Sequence, residues 1–134
     1  MGFSSRFRDV HKELVWLVQD VEQNLQPGLG PGETGEVLNQ LTRLVLRLAM
    51  ENHSVYPQLL ESPDPKVNRT ARRFQNEMGV IQERFEGYAD RWNPLSARED
   101  PHHFFMESRD LLDVLYQRIR AEQAALSPLL DAMG

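Results

Sequence analysis

The sequence predicts an all-α chain folded as an antiparallel, up-down-up-down four-helix bundle. Three observations lead there. Apolar residues recur at spacings of three and four along most of the chain, and no stretch alternates with the two-residue period of a half-buried strand. Three proline-bearing breaks, QPGLGPGETG (26–35), ESPDP (61–65) and WNPLSAREDP (92–101), divide the chain into four long periodic segments. Short connections between long amphipathic helices favour antiparallel neighbours.

Each helix has its own stripe. The first carries Phe7, Val10, Leu14, Leu17, Val18, Val21 and Leu25; the second carries Val37, Leu41, Leu44, Leu48, Val55 and Leu59. The third is the most regular, with Val67, Ala71, Phe74, Met78, Ile81, Phe85, Tyr88 and Trp92. The fourth offers Leu111, Leu112, Leu115, Ile119, Leu126 and Leu130. The two Asp-Pro pairs, Asp64-Pro65 and Asp100-Pro101, suit Asp as N-cap with Pro at the first helical position. Pro57 and Pro128 fall near helix ends, where a missing N–H and a bent last turn are tolerable.

Length and composition bound the function. At 134 residues, 40% of them hydrophobic, the chain makes one domain (1–134) with a single core. A net charge of -5 argues against nucleic acid as a partner, which calls for a basic face. Cysteine is absent, so thiolate metal sites and cysteine nucleophiles are excluded. No apolar run approaches the roughly 18 residues of a membrane span, and the expected location is the cytoplasm. No nucleophile–base pair stands out, and GLGPGETG lacks the Lys-Ser/Thr ending of a phosphate loop, so an enzyme is the less expected reading.

Polar residues that interrupt the stripes carry the chemical information. Glu51 lies three after Leu48 and four before Val55; Glu122 lies three after Ile119 and four before Leu126; both should point inward. His11 falls four after Phe7 and three before Leu14, and Glu77 sits at the flank of its seam, three after Phe74. Every helix therefore offers one ligand-type residue. Buried carboxylates need a metal ion, a proton or a cationic partner. A bundle interior lined by Glu and His is the layout of non-haem metal sites, whereas boundary carboxylates that reach solvent are the ordinary alternative. Tyr56 and Tyr116 lie close enough in register to line such a cavity, although core packing is the simpler role for both. Trp16, Phe74, Phe85, Tyr88 and Trp92 read as core or boundary aromatics, His53 as a solvent-facing residue, and RTARR (69–73) as a solvated helix face. His102 and His103 start the fourth helix, far along it from Glu122.

Two of these glutamates belong to an internal repeat. RLAMENHSVYP (47–57) and RIRAEQAALSP (118–128) share Arg, then Glu four residues on, then Pro six residues after the Glu. The stretch LAMENHSVYPQLLESPDPKVNRTARRFQNEMGVIQERFEGYADRW (48–92) resembles the hemerythrin-like (HHE cation-binding) family, in particular its small stand-alone bacterial members, and the resemblance extends over essentially the whole chain. It implies a four-helix bundle holding one or two non-haem irons, with oxygen binding, redox or nitric-oxide sensing, or iron handling as functions. It also implies roles by position: His11 as the helix-one ligand, Glu51 and Glu122 as bridging carboxylates, and Glu77 where helix three usually supplies His. Arg47 and Arg118 then occupy the histidine places of both His-x-x-x-Glu motifs. A guanidinium has no lone pair to give, so neither arginine ligates a metal. At i, i+4 spacing Arg47 can reach Glu51 and Arg118 can reach Glu122, with Tyr56 beside them.

Two readings follow. In one, His11, Glu51, Glu77 and Glu122 hold a metal, iron foremost, which meets a diatomic gas, with the arginines as outer partners. In the other, the arginines replace the metal charge, and the bundle is a metal-free module acting on a protein partner. Neither involves nucleic acid or a membrane.

Overall fold

The structure, a computed structural model, describes residues 2–132. It is all-helical, with six helices among the described residues: α1 (Gly2–Asn24), α2 (Pro31–Ser54), α3 (Tyr56–Leu60), α4 (Pro65–Arg91), α5 (Pro94–Glu99) and α6 (Pro101–Ala132). Helix α1 packs on α2 and α6, and α4 packs on α2, α3 and α6. Among the described residues, no helix is long and apolar enough to cross a membrane.

The elements start and stop where local chemistry requires. Gly28 adopts φ +77 in the α1–α2 turn, a left-handed conformation that a side chain would resist. At the α4 start, the Asp64 carboxylate accepts from the Lys66 backbone N–H at 2.9 Å, with Pro65 following as the first helical residue. Asn93 caps α5 through the N–H groups of Leu95 and Ser96, while the Ser96 hydroxyl accepts from the Asn93 N–H. Asp100 accepts from the His103 N–H at the head of α6.

The sequence reading differs from the structure at the second segment. A single helix was expected through Leu59, but the chain breaks at Val55 and α3 begins at Tyr56. Pro57 explains this: it lacks an N–H, and its ring crowds the carbonyl of His53 one turn earlier. At Pro128, by contrast, α6 runs on to Ala132. Trp16 also departs from expectation, being 63% exposed. Its neighbour positions Leu14 and Val18 take the core row, which turns residue 16 outward.

The buried apolar residues form two clusters. The larger includes Leu14, Leu48, Met78, Leu115 and Ile119. The smaller contains Phe7, Val55, Tyr56, Phe74, Leu126 and Leu130. Along α1 and α4 the chain passes from the smaller cluster to the larger; it returns to the smaller one at Val55, just past the end of α2, and again along α6. At the junction on three helices lie buried polar side chains: His11, Glu51, and Arg118 with Glu122.

Candidate metal centre

His11 stands on α1 between Phe7 of one cluster and Leu14 of the other, and is 1% exposed. Its Nδ1 lies 3.1 Å from the Phe7 carbonyl oxygen. A carbonyl can only accept, so Nδ1 carries a proton and donates, which leaves Nε2 to face the two carboxylates. The Phe7 ring packs on the imidazole with centroids 4.1 Å apart, fixing its plane. Nε2 faces Glu122 Oε2 at 3.4 Å and Glu51 Oε1 at 4.0 Å.

Glu51 and Glu122 are as deeply buried, at 1% and 0% exposure. Arg118, three residues after Leu115 on the same buried row of α6, reaches Glu122: its Nε donates to Glu122 Oε1. Its Nη2 donates to the Tyr56 hydroxyl at 2.9 Å. Its guanidinium carbon lies 4.9 Å from the centre of the Phe74 ring, within cation–π range. The break at Val55 matters here, because Tyr56, the first residue of α3, is the one that clamps this arginine.

What remains is a set of buried atoms without hydrogen-bond partners: His11 Nε2, both Glu51 oxygens, Glu122 Oε2 and Arg118 Nη1. Buried polar groups are normally satisfied, so this cluster marks a place where a polar or cationic partner can be held. Four of the five belong to side chains able to ligate a metal. His11, Glu51 and Glu122 each bring a ligand atom to a common site, all within 4.8 Å of one another. Bonds of about 2.0–2.2 Å to one ion place its ligands at most about 4.4 Å apart, so a sub-ångström contraction suffices.

The electrostatics agree. Burial pushes the Glu51 carboxyl far above the ordinary range, reinforced by its contact with Glu122 and by that group's charge, with Arg118 opposing. Burial also acts to raise Glu122, but the neighbouring His11 and Glu51 groups and the charge and hydrogen bond of Arg118 outweigh it, and its pKa falls to about 2. One carboxylate is thus ionised and paired, and the other is held as a neutral acid. Desolvation, and secondarily the charge of Glu122, raises the Tyr56 phenol, which stays a neutral acceptor for Arg118.

Of the four residues expected to converge, His11, Glu51 and Glu122 do; Glu77 does not. Its side chain is 53% exposed, with Arg73 Nε at 3.8 Å and Arg118 Nη1 at 4.0 Å. Met78, the next residue, takes the core row of α4, and the 100° step to Glu77 turns it toward solvent. The two arginines also part ways. Arg118 pairs with its expected glutamate, whereas Arg47 turns outward to donate to Glu13 Oε1 of α1 at 2.5 Å, with both side chains half exposed. A half-exposed pair avoids the desolvation that an Arg47–Glu51 contact would impose. Tyr56 stands beside Arg118 as expected, whereas Phe74, read as a core or boundary aromatic, gave no sign of its contact with the guanidinium.

His53, His102 and His103 are exposed, and RTARR (69–73) is a solvated face around buried Ala71. No family model, curated protein or solved structure matches this chain.

Proposed function

We propose that this chain is a hemerythrin-like, up-down-up-down helical bundle that holds non-haem metal, iron foremost, through His11, Glu51 and Glu122, and that it senses or handles oxygen, nitric oxide or iron. One observation carries the reading: four atoms of side chains able to ligate a metal, on three fully buried residues, converge without partners. The alternating passage of the chain between the two clusters supports the up-down topology.

The residues present suit such an ion. One imidazole nitrogen and two carboxylates form a donor set for iron, manganese or zinc, with positions left for exogenous ligands. When bound, ferrous iron would supply reversible redox chemistry and affinity for diatomic gases. The protein's part is positional. The Phe7 carbonyl holds His11 in the ligating tautomer, Glu51 releases its proton as the cation enters, and Arg118 steadies Glu122. The two apolar clusters keep bulk water from the cage.

A second reading has its own support in the Arg118–Glu122 pair, which already supplies positive charge inside the layer. Here the bundle is metal-free and the polar layer fixes helix register for a protein-interaction module. Thermal unfolding separates the two. On the metal reading, Fe(II) or Mn(II) raises the melting temperature of chelator-treated protein, and the Glu51→Ala/Glu122→Ala double variant shows no response. An unresponsive wild type, or a double variant stabilised to the same extent, rejects it.

A further inference from the structure

We infer that Arg118 makes this centre mononuclear: its guanidinium is a cation held by the protein inside the carboxylate cage, leaving ligands and negative charge for a single divalent ion. The inference rests on the metal reading above and concerns the stoichiometry and tuning of that same site.

The ligand inventory comes first. Glu122 has two oxygens, but Oε1 accepts from Arg118 Nε, and only Oε2 is free. An oxygen already bonded to a guanidinium is a poorer ligand for a second cation, which would also have to lie against the guanidinium's own charge. The remaining atoms, His11 Nε2, Glu51 Oε1 and Oε2, and Glu122 Oε2, suffice for one ion completed by water. Glu77 is half exposed, with one oxygen 4.0 Å from Arg118 Nη1, and does not join the cluster of His11, Glu51 and Glu122.

Charge gives the same answer. Two ionised carboxylates against Arg118 leave one net negative charge, and one divalent ion turns that to one positive. A second ion would leave three positive charges among buried groups, a desolvation cost the site cannot offset.

Arg118 is also not free to leave. Its side chain is 3% exposed, bonded to Glu122 and Tyr56, and set against the Phe74 ring. Arg47, the other half of the repeat, sits at the surface on Glu13 and takes no part. The duplicated motif therefore acts asymmetrically, with only its second copy placing a charge inside the cage. Arg118 is a positioning residue that holds Glu122 in single-oxygen presentation and weakens the affinity for cations.

Metal-stripped protein is titrated anaerobically with Fe(II), and in parallel with Mn(II) followed by electron paramagnetic resonance. The expected result is one equivalent and an uncoupled Mn(II) signal. Two equivalents, or an exchange-coupled spectrum, overturn the inference, whereas no binding at all removes the metal reading beneath it. Arg118→Gln removes the like charge and frees Glu122 Oε1, so Mn(II) affinity should rise by about tenfold or more. Arg118→Lys keeps the charge and should bind like wild type. A folded Arg118→Gln with unchanged affinity would show that the guanidinium does not act on the cage. The wild-type stoichiometry decides the point even if a variant fails to fold.

Discussion

Glu51 and Glu122 are chemically identical residues that the bundle drives in opposite directions. In metal-free protein Glu51 is raised well above its unfolded value of 4.5, so folding takes up a proton there. Its stabilising contribution is complete below that value and is lost as pH rises toward the folded pKa. Glu122, lowered to about 2, contributes above 4.5 and loses that contribution as pH falls. Stability of the metal-free protein should therefore be greatest near about pH 5 and decline through neutrality. Glu51→Gln should abolish the decline on the alkaline side. Chemical denaturation across this range checks it, and a wild type whose stability does not fall between about pH 5 and 8 would contradict the assignment. His11, Glu51 and Glu122 were legible in the sequence because each interrupts an apolar stripe in register. Glu77 and Arg47 were misplaced for a common reason: spacing gives an angle about the helix axis, but a neighbouring residue decides which of two adjacent positions takes the core. Met78 excludes Glu77, and Glu13 on another helix draws Arg47 outward.

At the scale of elements, the caps and breaks set where the site residues stand. Asp64 closes the first turn of α4, the helix that supplies Phe74 beneath Arg118. Asp64→Ala should lower stability by about 1 kcal/mol while leaving metal affinity unchanged, measured by urea unfolding and metal titration. A larger loss together with lost metal binding would mean that the cap positions the site. The four long helices and their breaks were readable from the apolar period and the prolines. The separate identity of α3 was not, since a proline inside an amphipathic run permits either a bend or a stop. Tyr56 was nonetheless expected beside the arginines, and the stop at Val55 is what starts α3 at that residue.

Across the whole molecule, a polar layer divides what would otherwise be a continuous core, and a bundle of this size gains nothing in stability from it. Replacing the layer with apolar residues of similar volume (His11→Leu, Glu51→Leu, Arg118→Met and Glu122→Leu together) should stabilise the metal-free protein by about 1–4 kcal/mol. Removing Glu122 alone should instead destabilise it by about 3–5 kcal/mol, because Arg118 is left buried and unpaired. Equilibrium unfolding distinguishes these outcomes; equal destabilisation by both sets would mean that the layer is itself a source of stability. A layer that costs stability is retained for what it binds or for the register it imposes. Metal content decides between these. Protein expressed in iron-supplemented medium, purified without chelator and assayed by plasma mass spectrometry, should carry close to one metal ion per chain, iron foremost, and Glu51→Ala/Glu122→Ala should carry none. A folded wild type without stoichiometric metal, unable to acquire it from excess Fe(II), Mn(II) or Zn(II), would contradict the metal centre.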